Sequence, residues 1–497
     1  MPAAISAAFA LHGSCSRQRF YMNHQVHSDP SRPTVLRGTQ TRRSALRSLG
    51  AGSLAAMLGG SVLSSSLVGC NQDVPSDAQP DTASMPVDLF PLNVLLVGTW
   101  QEADAIVDAF ALISEQPLKL QVVEPQQSVQ ALDQLSACDV AIIPQSLLGA
   151  AANQELLVPR SEDWIGKLNQ QFGTPFALPA SGLGRWGADV LGIAVGAKLP
   201  ARLAADPQSD CKTWQDYQLW VESLGGQAAE ALAPGWAGWS FLNRCASSVS
   251  GAWLFESSEL NPALSNEEHV AVLQQLCATA KHYDDHQLTP GQIEAQVRQG
   301  KLLGGIGMVT AAANAADGAE QAAQARIELS VFDLPFGDAR SVDGSPGDLS
   351  IAAFKPLLGH HVPIACLTTG CRQNEVATAF IGWLASNQDT QSLHRRCQYL
   401  SVTRSNSSED EGLQPLTQAP YERWLQTKLQ QRSARVPMNL PGADLYYQAV
   451  DQAVGKAVAG ALSAEQAMQQ ASEAWDAITD SIGRDQQKRA WKMARGL

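Results

Sequence analysis

The chain lacks an apolar run fit to cross a membrane, a CxxC cysteine pair and any surplus of basic charge, and each absence excludes a class. From Ser48 to Gly69 there are 22 residues, long enough to span a bilayer at helical rise, but only 11 of them are clearly apolar. The others are Gly and Ser, which add little transfer energy, so this stretch is not a stable span. The nine cysteines are scattered and show no zinc-binding spacing. Basic residues number 35 against 48 acidic ones, a net charge of −13. Seven of the basic residues and one acid precede Cys70, which leaves 28 against 47, or −19, for the remainder. Such a chain repels polyphosphate, and nucleic acid is excluded as a partner. No GxSxG motif and no Cys–His spacing supports a nucleophilic enzyme.

What is present begins with an address. Arg37, Arg42, Arg43 and Arg47 form a basic region ahead of the weakly apolar stretch, which ends in small residues. The pair Arg42-Arg43, in Thr41-Arg42-Arg43-Ser44-Ala45-Leu46-Arg47, resembles the twin-arginine signal that exports folded proteins. Leu67-Val68-Gly69-Cys70 resembles a lipobox. Gly69 fits a tight cleavage pocket, and the Cys70 thiol is the group that can carry a thioether lipid. Two acyl chains there would anchor durably, at ~0.8 kcal/mol per buried methylene. Residues 1–69 are therefore expected to be an N-terminal extension and signal peptide, with Met22 a plausible start. Residues 70–90 read as a lipidated, proline-spaced flexible linker.

About 400 residues follow, too many for one core and about right for two lobes. Leu92 to Val97, Leu118 to Val123 and Val140 to Ile143 read as strands. Between them, helix faces are marked by Ile106, Phe110 and Ile113, then by Val129, Leu132 and Leu135. Strands separated by such crossovers form a parallel sheet. Its ligands are expected beyond the carboxyl ends, at Gly98-Thr99-Trp100-Gln101 and Pro144-Gln145-Ser146. Thr213, with Asp216 at the reciprocal position, and Ser463, with Gln466, open further helices. Lys301 to Val309 and Ile327 to Leu334 read as strands of a second sheet, and the last 60 residues as helices broken at Gly460. Cys366 and Cys371 are near enough for a local disulfide, although buried free thiols are the plainer reading of most cysteines.

Four segments carry a family resemblance. LGIAVGAKLPARLAADPQSDCKTWQDYQLWVESLGG is similar to a first interlobe crossover followed by a Lys-Thr-Trp helix start, and FDLPFG to the strand entering the second crossover. NEVATAFIGWLAS is similar to the helix that returns the chain to the first lobe. RVPMNLPGADLYYQAVDQAVGKAVAGALSAEQAMQQASEAWDAIT is similar to a C-terminal helix pair. Together, over residues 91–483, the chain resembles the sugar-type extracellular solute-binding proteins (family 1) of ATP-binding-cassette importers. The resemblance implies an α/β fold, the two-lobed periplasmic-binding-protein fold of the class II type, with hinge crossovers and a helical C-terminal tail. Lobe 1 would comprise 91–193 and 338–398, and lobe 2 would comprise 194–337 and 410–497 with the C-terminal helices. The hinge would include Ile193-Ala194-Val195 and Leu334 to Gly337. The implied protein is a monomer without cofactor. It would be tethered on the periplasmic or cell-surface side, would close on a sugar or oligosaccharide without chemistry, and would deliver it to ABC permease subunits.

Sugar rings stack on aromatics, and their hydroxyls are taken by amides and hydroxyls. Trp100, Gln145, Ser146, Trp236, Trp239 and Tyr447 are the expected ligand contacts, each weighed against ordinary packing. Trp236 and Trp239 stand in PGWAGW, which reads as a glycine-rich loop; Trp236 and Tyr447 match family positions where an aromatic is common. Where the family usually carries Trp or Pro in a ligand loop, Val309-Thr310-Ala311 stands here. Weaker signals are Gly304-Gly305-Ile306-Gly307 as a nucleotide loop, His282 and His286 as metal ligands, and Tyr446-Tyr447 as a ferric-ion pair. His360-His361 suggests nothing specific. The alternatives to a sugar receptor are an exported lipoprotein enzyme acting on carbohydrate and a metal-ion receptor of the same fold.

Overall fold

The structure, a computed structural model, describes residues 90–100, 102–124, 128–207, 211–249, 252–256, 259–309, 327–337, 355–386, 390–405, 419–431 and 434–495. Arg42, Arg43, Cys70, Gln101, Thr310 and Ala311 lie outside them. The first strand, β1 (Leu92–Val97), is buried on both faces, which is why it reads as a continuous apolar run. Leu92, Val94 and Leu96 pack with Ile106, Phe110, Phe380 and Trp383, while Leu95 and Val97 enter the core on the other side. Helix α1 (Asp104–Ala111) leads to β2 (Leu118–Val123), and α2 (Ser128–Gln134) to β3 (Val140–Pro144). Both strands pair parallel with β1, in the crossover pattern that sequence spacing requires. Helix α3 (Gln145–Asn153) starts directly at the end of β3 and is followed by α4 (Glu162–Phe172) and α5 (Ala177–Gly182). Ser161 caps α4 by accepting from Trp164 N at 3.2 Å. A small ribbon of β4 (Arg185–Trp186) and β5 (Asp189–Val190) precedes β6 (Gly192–Ala194).

From β6 the chain crosses into a second sheet, made of β7 (Ala201–Ala204), β8 (Ala228–Glu230), β11 (Gly304–Gly307) and β12 (Ser330–Phe332) in the order β12-β7-β11-β8. Between its strands lie α6 (Trp214–Ser223), α7 (Ala237–Ser248), the ribbon β9 (Phe255–Glu256) and β10 (Asn261–Pro262), α8 (Glu267–Ala280) and α9 (Pro290–Arg298). The expected box at the start of α6 is complete, Thr213 N donating to Asp216 and Asp216 N to Thr213 Oγ1. The glycines of β11 are strand residues, not a phosphate cradle: a side chain on Gly305 would overlap Ala229 O, and one on Gly304 would meet Trp220.

The chain then returns to the first sheet as β13 (Pro363–Leu367), antiparallel between β3 and β6, giving the order β2-β1-β3-β13-β6. Helices α10 (Asn374–Leu384) and α11 (Gln391–Arg396) complete that lobe, and α12 (Pro420–Leu429) follows. The tail is α13 (Ala443–Val458), α14 (Ala464–Ile482) and α15 (Arg484–Ala494), with the break at Gly460, which takes φ +73. The tail pair is tied by Trp475 Nε1 donating to Tyr446 O and by Tyr446 Oη bonding Thr479 Oγ1, both at 2.8 Å. Helix α13 packs on α14, α7 and α8 and also touches α3, so it lies along the boundary between the lobes. All seven cysteines among the described residues are free, so Cys366 and Cys371 form no disulfide. No described helix is long and apolar enough to cross a membrane.

Candidate functional site

The two sheets meet at a cleft whose lobe-2 wall is the start of α7. PGWAGW was expected to be a loop because its residues form helices poorly, but Trp236 is the N-cap and Trp239 already lies in the first turn. The cap comes from another element. Asp451, on α13, accepts from Gly235 N at 2.7 Å and from Gly238 N at 2.9 Å, satisfying donors that the helix end leaves open. Gly238 permits the approach, since a Cβ there would stand 2.7 Å from Asp451 N. Further along α7, Arg244 forms a buried two-point ion pair with Glu230 of β8 (3.1 and 2.5 Å), while its guanidinium lies 4.1 Å over Trp214. These contacts fix the direction in which Trp236 and Trp239 are presented.

The facing wall is the turn before β13. The first N–H groups of α3 hold it: Gln145 N donates to Val362 O and Ser146 N to His360 O, both at 2.9 Å. His361 then meets Trp236 edge-on at 4.9 Å and Trp239 at 5.3 Å, and His360 stacks on Tyr447 at 4.2 Å and 17°. Removal from water lowers the pKa of His360 to about 3, helped by the neighbouring His361, and that of His361 to about 4. Both imidazoles are therefore neutral and present apolar faces with polar edges. Tyr447 Oη is held by Met438 N at 2.6 Å.

Two chambers share His361, Pro363 and Tyr399. One, of about 500 Å³, is bounded by Trp100, Ser146, Trp239, His360, Tyr447 and Asp451. The other, of about 490 Å³, is bounded by Thr99, Lys198, Trp236, Thr289, Gln292 and Gln398. Five of the six expected contacts thus line the cleft. Trp100 and Trp236 line different chambers; Trp100 pairs with Tyr399 at 5.2 Å and donates to Val97 O. Gln145 is not in either lining: it is fully buried, and its Oε1 accepts from Gly184 N at 3.0 Å.

Sequence reasoning missed His360, His361, Tyr399, Lys198 and Asp451. The signal for the histidines was position. They precede a strand that runs antiparallel to β3, so its beginning lies beside the carboxyl end of β3, where Pro363 pairs with Pro144. The other weak signals resolve as structure. His286 Nε2 lies 2.8 Å from Ala280 O, and Tyr446 points to Thr479, away from Tyr447's partner. Among the described residues no three His, Cys, Asp or Glu side chains are grouped to hold a metal ion.

No family model and no curated protein matches the sequence. Solved structures do match. An ABC transporter solute-binding protein from Agrobacterium radiobacter K84, in complex with ribitol, superposes with a TM-score of 0.61 at 14% identity, over 78% of this chain and 100% of that one. A cyclo/maltodextrin-binding protein complexed with maltotetraose gives 0.55, also at 14% identity, over 80% of this chain and 99% of that one. The chain has their two-lobed fold.

Proposed function

We propose that the chain is an exported receptor that captures a small polyhydroxy solute, a sugar, oligosaccharide or polyol, by closing its lobes, and delivers it to an ABC permease without chemical change. The observation that carries this reading is the cleft. Neutral aromatic and imidazole rings line it, and two of its wall atoms, Trp239 Nε1 and His360 Nδ1, are buried without a hydrogen-bond partner. A buried polar atom left unpaired costs ~1–3 kcal/mol, which a solute hydroxyl would remove. The ribitol and maltotetraose bound by the two structures of like fold support the same solute class. In this reading Trp100, Ser146, Trp236, Trp239 and Tyr447 contact the solute, and the lobe boundaries follow the two sheets. Export runs through Arg42 and Arg43, Cys70 carries the lipid, and the receptor acts as a monomer outside the cytoplasm.

The test is a thermal-shift screen over sugars, polyols and metal ions. A ligand of the native state at 100 times its Kd adds ~2.7 kcal/mol of apparent stability. A sugar or polyol should raise the melting temperature. A shift with metal ions alone, or turnover of a sugar on incubation, would replace the reading with a metal receptor or an enzyme.

A further inference from the structure

Charge is sorted between the two chambers. The chamber of Trp100 and Tyr447 carries Asp444 and Asp451 in its wall, whereas the described residues that line the chamber of Trp236 include no acidic side chain and one cation, Lys198. Lys198 lies on the crossover between β6 and β7, and its ammonium donates to Gln398 O at 2.5 Å. That bond uses one of three N–H donors. The acids that act on Lys198, Glu422 and Glu294, are not among the residues lining the chamber. Withdrawal from water lowers the pKa of Lys198 to about 8, against the raising effects of Glu422, Cys397 and Glu294. A desolvated ammonium is costly unless an opposite charge meets it. The general field of a chain at −19 after Cys70 repels anions, so a local cation is what would admit one.

We propose that the Trp236 chamber receives an anionic group of the solute, a carboxylate or a phosphate, against Lys198. The inference rests on the receptor reading above and narrows its solute to an acidic sugar or polyol. Thr99, Thr289 and Gln292 stand in the same wall, and the Thr289 hydroxyl, which accepts from Gln292 N at 3.4 Å, keeps its own proton to donate. Thr99 follows β1 of the first lobe and Thr289 precedes α9 of the second, so a group held at Lys198 is gripped from both sides and favours closure.

Calorimetry on the purified protein with matched sets decides it: D-glucose, D-glucuronate and glucose 6-phosphate; ribitol, D-ribonate and ribitol 5-phosphate. The expected result is that in at least one set an acidic member binds tenfold or more tighter than its neutral parent, the carboxylate and phosphate arms telling which anion is meant. Lys198→Gln, which keeps an N–H for the Gln398 carbonyl, should bring that ratio near one. Lys198→Arg should preserve it, and Lys492→Gln, at an exposed position of α15, should leave it untouched. In the unaltered protein the acidic member, and not its parent, should slow trinitrobenzenesulfonate labelling of Lys198, a measurement that needs no variant. Neutral members binding as tightly as their acids, or a ratio that survives Lys198→Gln, overturns the inference and leaves the receptor reading standing. Binding by no sugar or polyol of either kind overturns both.

Discussion

At the scale of the residue, the cleft depends on side chains that are neutral where they are ordinarily half charged. His360 and His361 have pKa values lowered to about 3 and about 4, and His394, half-buried near Lys198, is likewise lowered to about 3 by withdrawal from water and by the Lys198 charge. An unfolded histidine titrates near ~6.5. Between those values the unfolded chain binds protons that the folded chain refuses, so stability is lost as pH falls from about 6.5 toward 4. The melting temperature of the empty protein should decline across that window, and His394→Gln should make the decline shallower; an unchanged slope would show that His394 is accessible to protons in the native state. Trp236 tests site against core. It is only partly buried and lines the chamber, whereas Trp214 and Trp475 are fully buried. Trp236→Ala should weaken solute binding by about one to two orders of magnitude, at ~1.4 kcal/mol per decade, and shift the empty protein's melting temperature little. Loss of a core Trp costs ~3–5 kcal/mol by contrast, so a large drop in melting temperature would make Trp236 a packing residue.

At the scale of the element, the helix that presents the tryptophans is held by its neighbours more than by its own sequence. Ala-Gly-Trp-Ser is a poor helix start, and the missing cap is supplied by Asp451 across the α7–α13 contact, where Gly238 lets the two backbones meet. Gly238→Ala puts a methyl 2.7 Å from Asp451 N, so the helices must part; about 1–3 kcal/mol of stability should be lost, together with solute affinity. Asp451→Ala should cost ~0.5–2 kcal/mol through the lost cap. Denaturant midpoints and calorimetry on the two variants measure both effects, and unchanged affinity in the two would detach the helix start from the site. This dependence also explains what could be read in the sequence. β1, β2 and β3 and the capping boxes at Thr213 and Ser463 were legible because periodicity and caps are local. The α7 start was not, because its cap comes from a residue 213 positions away. His360 and His361 were opaque for the same reason. What makes them part of the cleft is the antiparallel return of β13, a long-range pairing that no local pattern encodes.

At the scale of the whole molecule, the proposed tether and the proposed closure are separable. Cys70→Ser should leave an exported protein that no longer partitions with membranes, read by fractionation; firm membrane binding with cleavage still after Gly69 would remove the lipid assignment. The case for closure rests on where the cleft walls belong. Trp100, Ser146 and Tyr399 come from the lobe of the first sheet, Trp236 and Trp239 from that of the second, and α13 packs against both α3 and α7. A solute touching both walls makes its full contacts only when they are together, and it shifts the open–closed equilibrium by no more than its difference in affinity for the two states. Moving that equilibrium from 1:99 to 99:1 needs ~5.5 kcal/mol of differential binding. Two ring stacks at roughly 0.5–1.5 kcal/mol each supply part of it, and hydroxyl bonds to buried unpaired atoms supply more. Saturating solute should therefore reduce the radius of gyration in solution scattering and change tryptophan fluorescence, since Trp100, Trp236 and Trp239 all line the cleft. Trp236→Ala should keep the fluorescence of the empty state comparable after allowing for one indole, yet need a higher solute concentration for the same compaction. Tight binding with no change in the scattering curve would mean that the lobes are already closed around an accessible cleft, and that capture works by a fixed pocket.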